Sequence, residues 1–490
     1  MAISWIDKLD KWHRDSIGSR ELTEGEVDDI ILILAGQELD LGTITFQLFG
    51  SRLPSKFVNS GWFGLESWII RNGLTTDEVD QIVNFLEMSL DIQNSEWDWI
   101  HGNQEFSENY YYKLRVIRVL ALKYPSDTIT KLISYHINPH VPWSNSVNSI
   151  MINVKVHTSV NNFYQILKPN LIKQDTKQRL QGGLNPRLGY GGVKSEILQE
   201  DVRRNWKRDH VKGISMVWFF MINYKDDWPV VTSFLLNLFD DHQPDFKIQS
   251  LYLLQKFIQL NPHTLLKSGL YNEFKQAVKV CLSYIPNLTP PDISAIILEL
   301  GYLTIIQLIE LEPESKPLEY LDVINTNILS SVSHLSNRSS SDYPVLIILV
   351  DQLTVIIEKY LKTIVLASFT RINFSLNQLI TNPFIIDDRE FGLKLCTSCL
   401  VCQGILLDEF IKLGDEQGCA LISSYFFDLL GAWLVLLQRL HKADINCPDL
   451  INSLKSNLKK LSQIKPLEND IQRIIEKDPN VQSAISHVIL

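Results

Sequence analysis

Two helical segments joined by a short acidic turn limit what this chain can fold into more than any other feature of its sequence. The first segment begins at Asp227 and continues as WPVVTSFLLNLF to a turn at residues 240–243. The second begins at Pro244, carries apolar residues along one stripe, and ends at Asn261. Proline suits the first turn of a helix because the N–H that it lacks has no helical partner there. Neither helix can bury its stripe alone, so the pair predicts a fold in which helix pairs stack.

Charged residues flank this turn. Asp240 and Asp241 lie in the turn itself, and Lys247 lies on the first turns of the second helix. A helix pair with a tight acidic turn and a basic residue on its second helix is typical of a HEAT unit. We therefore expect Asp241 and Lys247 at the turn edge of such a unit.

Helix signals also dominate the rest of the chain. Thr75 and Glu78 fit the Ser/Thr-x-x-Glu capping box before VDQIVNFLEMSL, and Thr23 and Glu26 fit it before VDDIILILAG. Only residues 151–163 have a pattern that suits an extended strand. The sequence predicts an all-α chain, either a HEAT-like α-solenoid with irregular repeats or an irregular helical bundle.

The predicted organisation has three parts. An N-terminal helical region covers residues 1–173, a glycine-containing loop or linker covers 174–200, and a HEAT-like C-terminal helical region covers 201–490.

Composition excludes several classes of function. With 46 Lys+Arg against 56 Asp+Glu, the formal net charge is −10, which argues against a general nucleic-acid binder or a protein drawn to anionic membranes. The chain starts with an amphipathic helical pattern rather than a signal peptide, and the six cysteines suit a reducing compartment. Its long apolar runs are too short to cross a membrane or are broken by charges such as Asp351 and Glu358. We expect no membrane-spanning segment and a location in the cytoplasm and nucleus.

The glycine-dense stretch GGLNPRLGYGGVKS, residues 182–195, invites comparison with phosphate-binding loops. A P-loop requires glycines at the positions that here hold Leu188 and Val193, ahead of Lys194 and Ser195. The dinucleotide pattern also fails, because its third glycine position holds Lys194. We expect a connection between helical segments. An enzyme built around this loop remains the alternative that nucleotide binding would support.

Three cysteines, Cys396, Cys399 and Cys402, have spacing seen in some metal sites. No turn residue interrupts LKLCTSCLVC, so we expect all three on one helix, where the outer two lie about 9 Å apart along the axis. Thiolates that share one zinc ion cannot be so far apart. We predict a buried stripe of small residues. The eleven histidines are scattered, and no catalytic pattern is present, so the sequence predicts no enzyme, no cofactor and no metal site.

One region resembles a known family. RRNWKRDHVKGISMVWFFM, which contains Trp206 and Lys207, precedes WPVVTSFLLNLFDDHQPDFKIQSLYLL. This segment, roughly residues 203–260, is similar to the Tel-two-interacting protein two family, in which a Trp-Lys pair introduces a helix and an Asp-Asp turn joins the next two. The positions that match are Trp206, Lys207, Asp240, Asp241 and Lys247. The resemblance implies that they contact a partner protein or maintain the repeat.

The resemblance also implies a function. Members of this family are non-enzymatic scaffold or co-chaperone subunits of the TTT complex, together with Tel-two and Tel-two-interacting protein one. With the Hsp-ninety chaperone system, that complex supports the maturation and stability of phosphatidylinositol-3-kinase-related kinases in DNA-damage, telomere and TOR signalling. The alternative from the residues is another HEAT-type adaptor in transport or cytoskeletal assembly, without the stable heterotrimer that the family implies.

Overall fold

The computed structural model describes residues 62, 65–66, 68–70, 73–89, 105–136, 138, 210–223, 228–312, 316–477 and 482. This part of the chain is 82% helical and contains no β-strand, which confirms the all-α prediction. The possible strand at 151–163, the helix predicted after Thr23 and the linker at 174–200 lie outside the described residues. The chain divides into an N-terminal unit, Met1–Asn237, and a C-terminal unit, Leu238–Leu490.

The described helices of the N-terminal unit are short to medium in length. They are α1 (Thr76–Ser89), α2 (Glu105–Lys123), α3 (Asp127–Ser134) and α4 (His210–Asn223), followed by α5 (Trp228–Asp240), whose last turn belongs to the C-terminal unit. Helix α3 packs against α1, α2 and α4. The predicted capping box is confirmed at the start of α1, where Glu78 Oε2 accepts the Thr75 N–H at 2.7 Å.

The C-terminal unit continues with thirteen further described helices and four shorter helical segments. They are α6 (Pro244–Leu260), α7 (Pro262–Lys267), α8 (Tyr271–Cys281), α9 (Pro291–Leu311), α10 (Lys316–Asp322), a π-helical segment (Val323–Ile328), α11 (Leu329–Leu335), a 3₁₀ turn (Ser340–Asp342), α12 (Tyr343–Ile356), a second π-helical segment (Ile357–Leu361), a 3₁₀ segment (Lys362–Ser368), α13 (Phe369–Ile380), α14 (Phe391–Lys412), α15 (Asp415–Ile422), α16 (Phe426–Lys442), α17 (Pro448–Ile464) and α18 (Glu468–Lys477).

These helices form two rows. In the first row, α6, α9, α12, α14 and α17 each pack against the next. In the second row, α8 is joined to α10 by the Lys275–Glu319 and Lys279–Asp322 ion pairs, α11 packs on α13, and α13 packs on α16. Contacts such as α8 with α9, α11 with α12 and α13 with α14 connect the rows. The apolar side chains between the rows form the core of this unit.

The two long first-row helices α9 and α14 are apolar on most of their surface. By length and composition both meet the criterion for a membrane span, although 56% and 61% of their most apolar windows are buried within the protein. Core helices meet the same criterion, and each of these two packs between two other helices of the first row. Neither helix is among the long apolar runs that the sequence analysis considered.

Candidate interaction surface

Three of the five residues matched to the family pattern fall in the described part of the chain. Trp206 and Lys207 lie outside it, so their role stays a prediction.

Helix α5 ends at Asp240, residues 241–243 form the connection, and Pro244 begins α6, as the sequence predicted to within one residue. We call residues 241–243 the Asp241 turn.

The three charged residues at this turn have different surroundings. Asp240 is exposed, whereas the Asp241 and Lys247 side chains are buried. Asp241 Oδ1 accepts the backbone N–H of Gln243, the residue that caps α6, at 3.1 Å. The Lys247 ammonium donates to the carbonyl of Phe239 in the last turn of α5. Both side chains therefore satisfy backbone groups that a helix end leaves without a helical partner.

Tyr284 closes the Asp241 turn from the connection that follows α8. Its hydroxyl donates to the carbonyl of His242 at 3.1 Å, and the Lys247 ammonium lies 5.6 Å from the centre of its ring. Burial raises the pKa of Tyr284 above its usual range, and electrostatic interaction with Cys281 and Asp241 raises it further. In this arrangement Asp241 and Lys247 hold the turn together, and Asp240 is the acidic residue here that a partner can reach.

The three cysteines lie on one helix, α14, and all are fully buried, as predicted. Burial raises the pKa of Cys396 and Cys402 to about 12 and that of Cys399 well above its usual value. Their thiols stay protonated at neutral pH, and neither nucleophilic nor ligand chemistry is available to them in this state. Within the described part of the chain, no group of three His, Cys, Asp or Glu side chains is arranged to hold a metal ion.

A buried polar network that sequence reasoning missed connects three helices behind these cysteines. Trp433 Nε1 on α16 donates to Gln403 Oε1 on α14 at 2.8 Å, and Gln403 Nε2 donates to Asn377 Oδ1 on α13 at 2.8 Å. Asn457 of α17 also donates to the carbonyl of Leu400 on α14 at 2.7 Å. In the sequence, this network is visible only as amide side chains, such as Gln403, that occur within helices rich in apolar residues.

Gly404 permits the close approach of α17 to α14. A Cβ added there would lie 2.5 Å from Asn457 Oδ1, and the Lys460 ammonium donates to the Gly404 carbonyl at 3.0 Å and to Asp408 at 2.7 Å. The helices of the first row are thus held in register by polar contacts as well as by apolar packing.

Carboxylates and aliphatic side chains reach the surface on α9, on α12 and on the second π-helical segment. We call these residues the acidic–aliphatic face; it consists of Glu299, Leu303, Asp351 and Glu358, which are exposed, and Val355, which is half-buried. Helix α9 contains no Lys or Arg, and Leu303 is 47% exposed. Negative charge beside accessible apolar surface suits contact with a basic, partly apolar protein surface.

Electrostatic effects of the acidic–aliphatic face extend to neighbouring groups. Partial burial raises the pKa of Asp351, and Ser398 and Lys394 on the adjacent α14 oppose that change. On α6, burial raises the pKa of Tyr252, and the charge of Glu299 adds to the effect. Asp351 therefore lies near α14, and Glu299 lies near α6.

A family model described as the Tti2 family matches residues 129–387, more than half of the chain. The chain belongs to the Tti2 family. The match begins within α3 and ends in the connection after α13, so it includes the Asp241 turn and the acidic–aliphatic face of α9 and α12. No curated protein and no solved structure gives a significant match. Membership confirms the resemblance seen in residues 203–260, and it supports a role as a scaffold-type subunit of the TTT complex rather than as an enzyme.

Proposed function

We propose that this protein is the non-enzymatic scaffold or co-chaperone that joins Tel-two and Tel-two-interacting protein one in the TTT complex. With the Hsp-ninety system, it would support maturation and stability of phosphatidylinositol-3-kinase-related kinases in the cytoplasm and nucleus. The observation that carries the proposal is the family match across residues 129–387. The thiols of α14 are buried in the core, and the charged pair of the Asp241 turn binds backbone groups of the fold, whereas the glycine-dense stretch 182–195 lies outside the described residues.

We propose further that the C-terminal unit is a HEAT-like α-solenoid. Two rows of helices, each packed on the next in chain order, support this arrangement. Side-chain contacts between successive helices of a row join residues at similar separations, from 43 for Lys279–Asp322 to 58 for Arg439–Thr381. HEAT and armadillo units repeat at about 40–47 residues, and irregular members vary around that length. A stacked array of this kind presents a wide surface to other large helical proteins.

Within this array, we assign contact with the other TTT subunits to the acidic–aliphatic face. It belongs to the first row, where five helices stand side by side, and it combines exposed carboxylates with Leu303 and Val355. The acidic character of the chain as a whole, with a net charge of −10, is in keeping with basic partner surfaces.

Native co-purification tests the proposed function. The chain is tagged at its own locus, isolated under gentle conditions and followed by quantitative mass spectrometry. We expect Tel-two and Tel-two-interacting protein one in amounts close to that of the tagged chain. A stable set of transport or cytoskeletal proteins in their place would instead support a different HEAT-type adaptor.

A pair of matched variants tests the assigned face. Leu303→Asp alters the first row, and Val280→Asp alters a residue of similar exposure, 52% against 47%, on α8 of the second row. We expect Leu303→Asp to reduce recovery of the TTT partners by about tenfold or more, as loss of an interface anchor does. Val280→Asp should leave recovery unchanged. Equal recovery with both variants, at unchanged melting temperature, would show that partners bind elsewhere.

A further inference from the structure

A groove with a volume of about 990 Å³ lies in the C-terminal unit between two connections. One wall is the connection between α11 and α12, with Arg338, and the other is the connection between α13 and α14, with Phe384 and Asp387. This volume is at the upper end of the range for ligand sites, about 300–1,000 Å³. The groove is separate from the acidic–aliphatic face, which consists of residues on α9 and α12 and in the following helical segment.

The wall that carries Phe384 is fixed by hydrogen bonds on both sides of that residue. Before it, Asn382 donates to the carbonyl of Ser336 across the groove at 3.1 Å and accepts the Phe384 N–H at 3.0 Å. After it, the Asp387 N–H donates to the Phe384 carbonyl at 3.2 Å, so residues 384–387 form a turn. We call these residues the Phe384 turn.

Close packing against the first turn of α14 holds the same wall in place. Ile385 is buried, and a Cβ added to Gly392 would lie 1.8 Å from its carbonyl oxygen. Asp388 accepts the N–H groups of Glu390 and Phe391, at 3.1 and 2.8 Å, and thereby satisfies backbone donors at the start of the helix. The turn is therefore preorganised, and yet Phe384 keeps 69% of its surface exposed. An exposed aromatic side chain on a rigid support loses little entropy when a partner covers it.

Two carboxylates, Asp387 and Asp388, and one cation, Arg338, line the groove. Its cation, Arg338, is engaged by the buried Asp342 at 3.4 Å and by the carbonyl of Pro286 at 3.1 Å. Among the described ion pairs, none includes Asp387, which is exposed. The carboxylates of Asp388 and Asp387 add to the effect of burial in raising the pKa of Tyr343 at the groove floor. A cationic group is therefore favoured here.

The remaining lining groups suit a peptide backbone. Asn337 and Gln378 supply amides, and Ser340 supplies a hydroxyl, so both donors and acceptors line an open channel. We propose that this groove binds an extended segment of a partner protein in which a Lys or Arg lies beside an aromatic or aliphatic residue. The basic side chain pairs with Asp387, and the apolar one packs on Phe384. This interaction goes beyond the proposed function and does not depend on it.

Selection from a random peptide library displayed on phage, with the full chain as bait, tests the proposal. Enriched peptides are then synthesised with a fluorescent label and titrated by anisotropy. We expect them to share a basic residue next to an aromatic or aliphatic one, and to bind more weakly as salt is added because Asp387 is exposed. No enrichment, or enrichment of acidic peptides, would overturn the proposal.

Matched variants locate the binding. Phe384→Ser and Asp387→Asn should each weaken binding by about tenfold, as loss of an interface anchor does. Phe374→Ser, at the same 69% exposure but on α13 outside the groove, and Glu390→Gln, an exposed acid just beyond it, should not. Bound peptide should also slow hydrogen exchange in residues 336–342 and 381–390. Unchanged binding in Phe384→Ser, or protection confined to another surface, would contradict the assignment.

Discussion

The Asp241 turn and the Phe384 turn are both short acidic connections in the C-terminal unit, but the charged side chains are buried at the first and exposed at the second. At the Asp241 turn, the acidic and basic groups are buried and bind the backbone of the two helices that they join. At the Phe384 turn, Asn382 and Asp388 satisfy the backbone, and Phe384 and Asp387 stay exposed. The difference indicates that a charged side chain at a helix connection is structural where backbone N–H or C=O groups require it as a hydrogen-bond partner. Where other side chains already satisfy those backbone groups, the charged side chain stays available for binding.

Lys247→Ala should give the largest effect, because it removes a buried side chain and leaves the Phe239 carbonyl without this donor. We expect a loss of about 3 kcal/mol in the free energy of unfolding. Chemical denaturation measures it, with Lys256→Ala on the partly exposed side of the same helix as the control. Similar small losses for both variants would mean that Lys247 does not lock the Asp241 turn.

Gly392→Ala tests the support of the Phe384 turn. The new Cβ would overlap the Ile385 carbonyl, so the connection must shift, at a cost of about 2 kcal/mol. Gly431→Ala in α16 is the control, because an added Cβ there meets nothing within 4 Å and alanine favours the helix by about 1 kcal/mol. If thermal melting shows Gly392→Ala as stable as Gly431→Ala, the turn is not rigid.

The neighbouring residues Asp240 and Asp241 provide a direct test within one turn. Asp241→Ala should lower the free energy of unfolding by about 1 kcal/mol, because the Gln243 N–H loses its acceptor at the start of α6. Asp240→Ala should be neutral or slightly stabilising, since Asp240 is exposed at the C-terminal end of α5. If urea denaturation gives the two variants the same free energy of unfolding, the buried and the exposed acid do not differ in their contribution to stability.

Tyr284→Phe should give the smallest effect and one that depends on pH. At neutral pH the variant loses the hydrogen bond to the His242 carbonyl. Because the pKa of Tyr284 is raised in the folded chain, the unfolded chain releases this proton first as the pH rises through about 10. The stability that Tyr284 contributes is therefore present below pH ~10 and lost above it. Melting curves across this range should show the gap between variant and wild type narrowing; a constant gap would contradict the account.

The sequence was sufficient for features set by local chemistry. Pro244 and the capping residues Thr75 and Glu78 mark helix starts because they act on backbone groups within one turn. Burial of Asp241 and Lys247 depends in part on Tyr284, about forty residues away, and no local pattern shows such a contact. Sequence reasoning placed both residues at a turn edge, and only the structure shows that their side chains face inward.

The groove was missed for the same reason. Phe384 and Asp387 occur in NPFIIDDRE, which has the composition of an ordinary loop. Its one distinctive signal is an aromatic residue two positions after an asparagine that can form a local turn. The opposite wall comes from the connection between α11 and α12, and tertiary packing such as that of α11 on α13 brings the two together.

We propose above all that this member of the Tti2 family stabilises phosphatidylinositol-3-kinase-related kinases as a subunit of the TTT complex. Acute depletion of the protein in its own cells, followed by quantitative proteomics and transcript measurement, tests it most directly. The account predicts that the levels of these kinases fall while their transcripts are unchanged, and that re-expressed wild type restores the kinases whereas Leu303→Asp does not. Kinase levels that stay constant after complete depletion would contradict it.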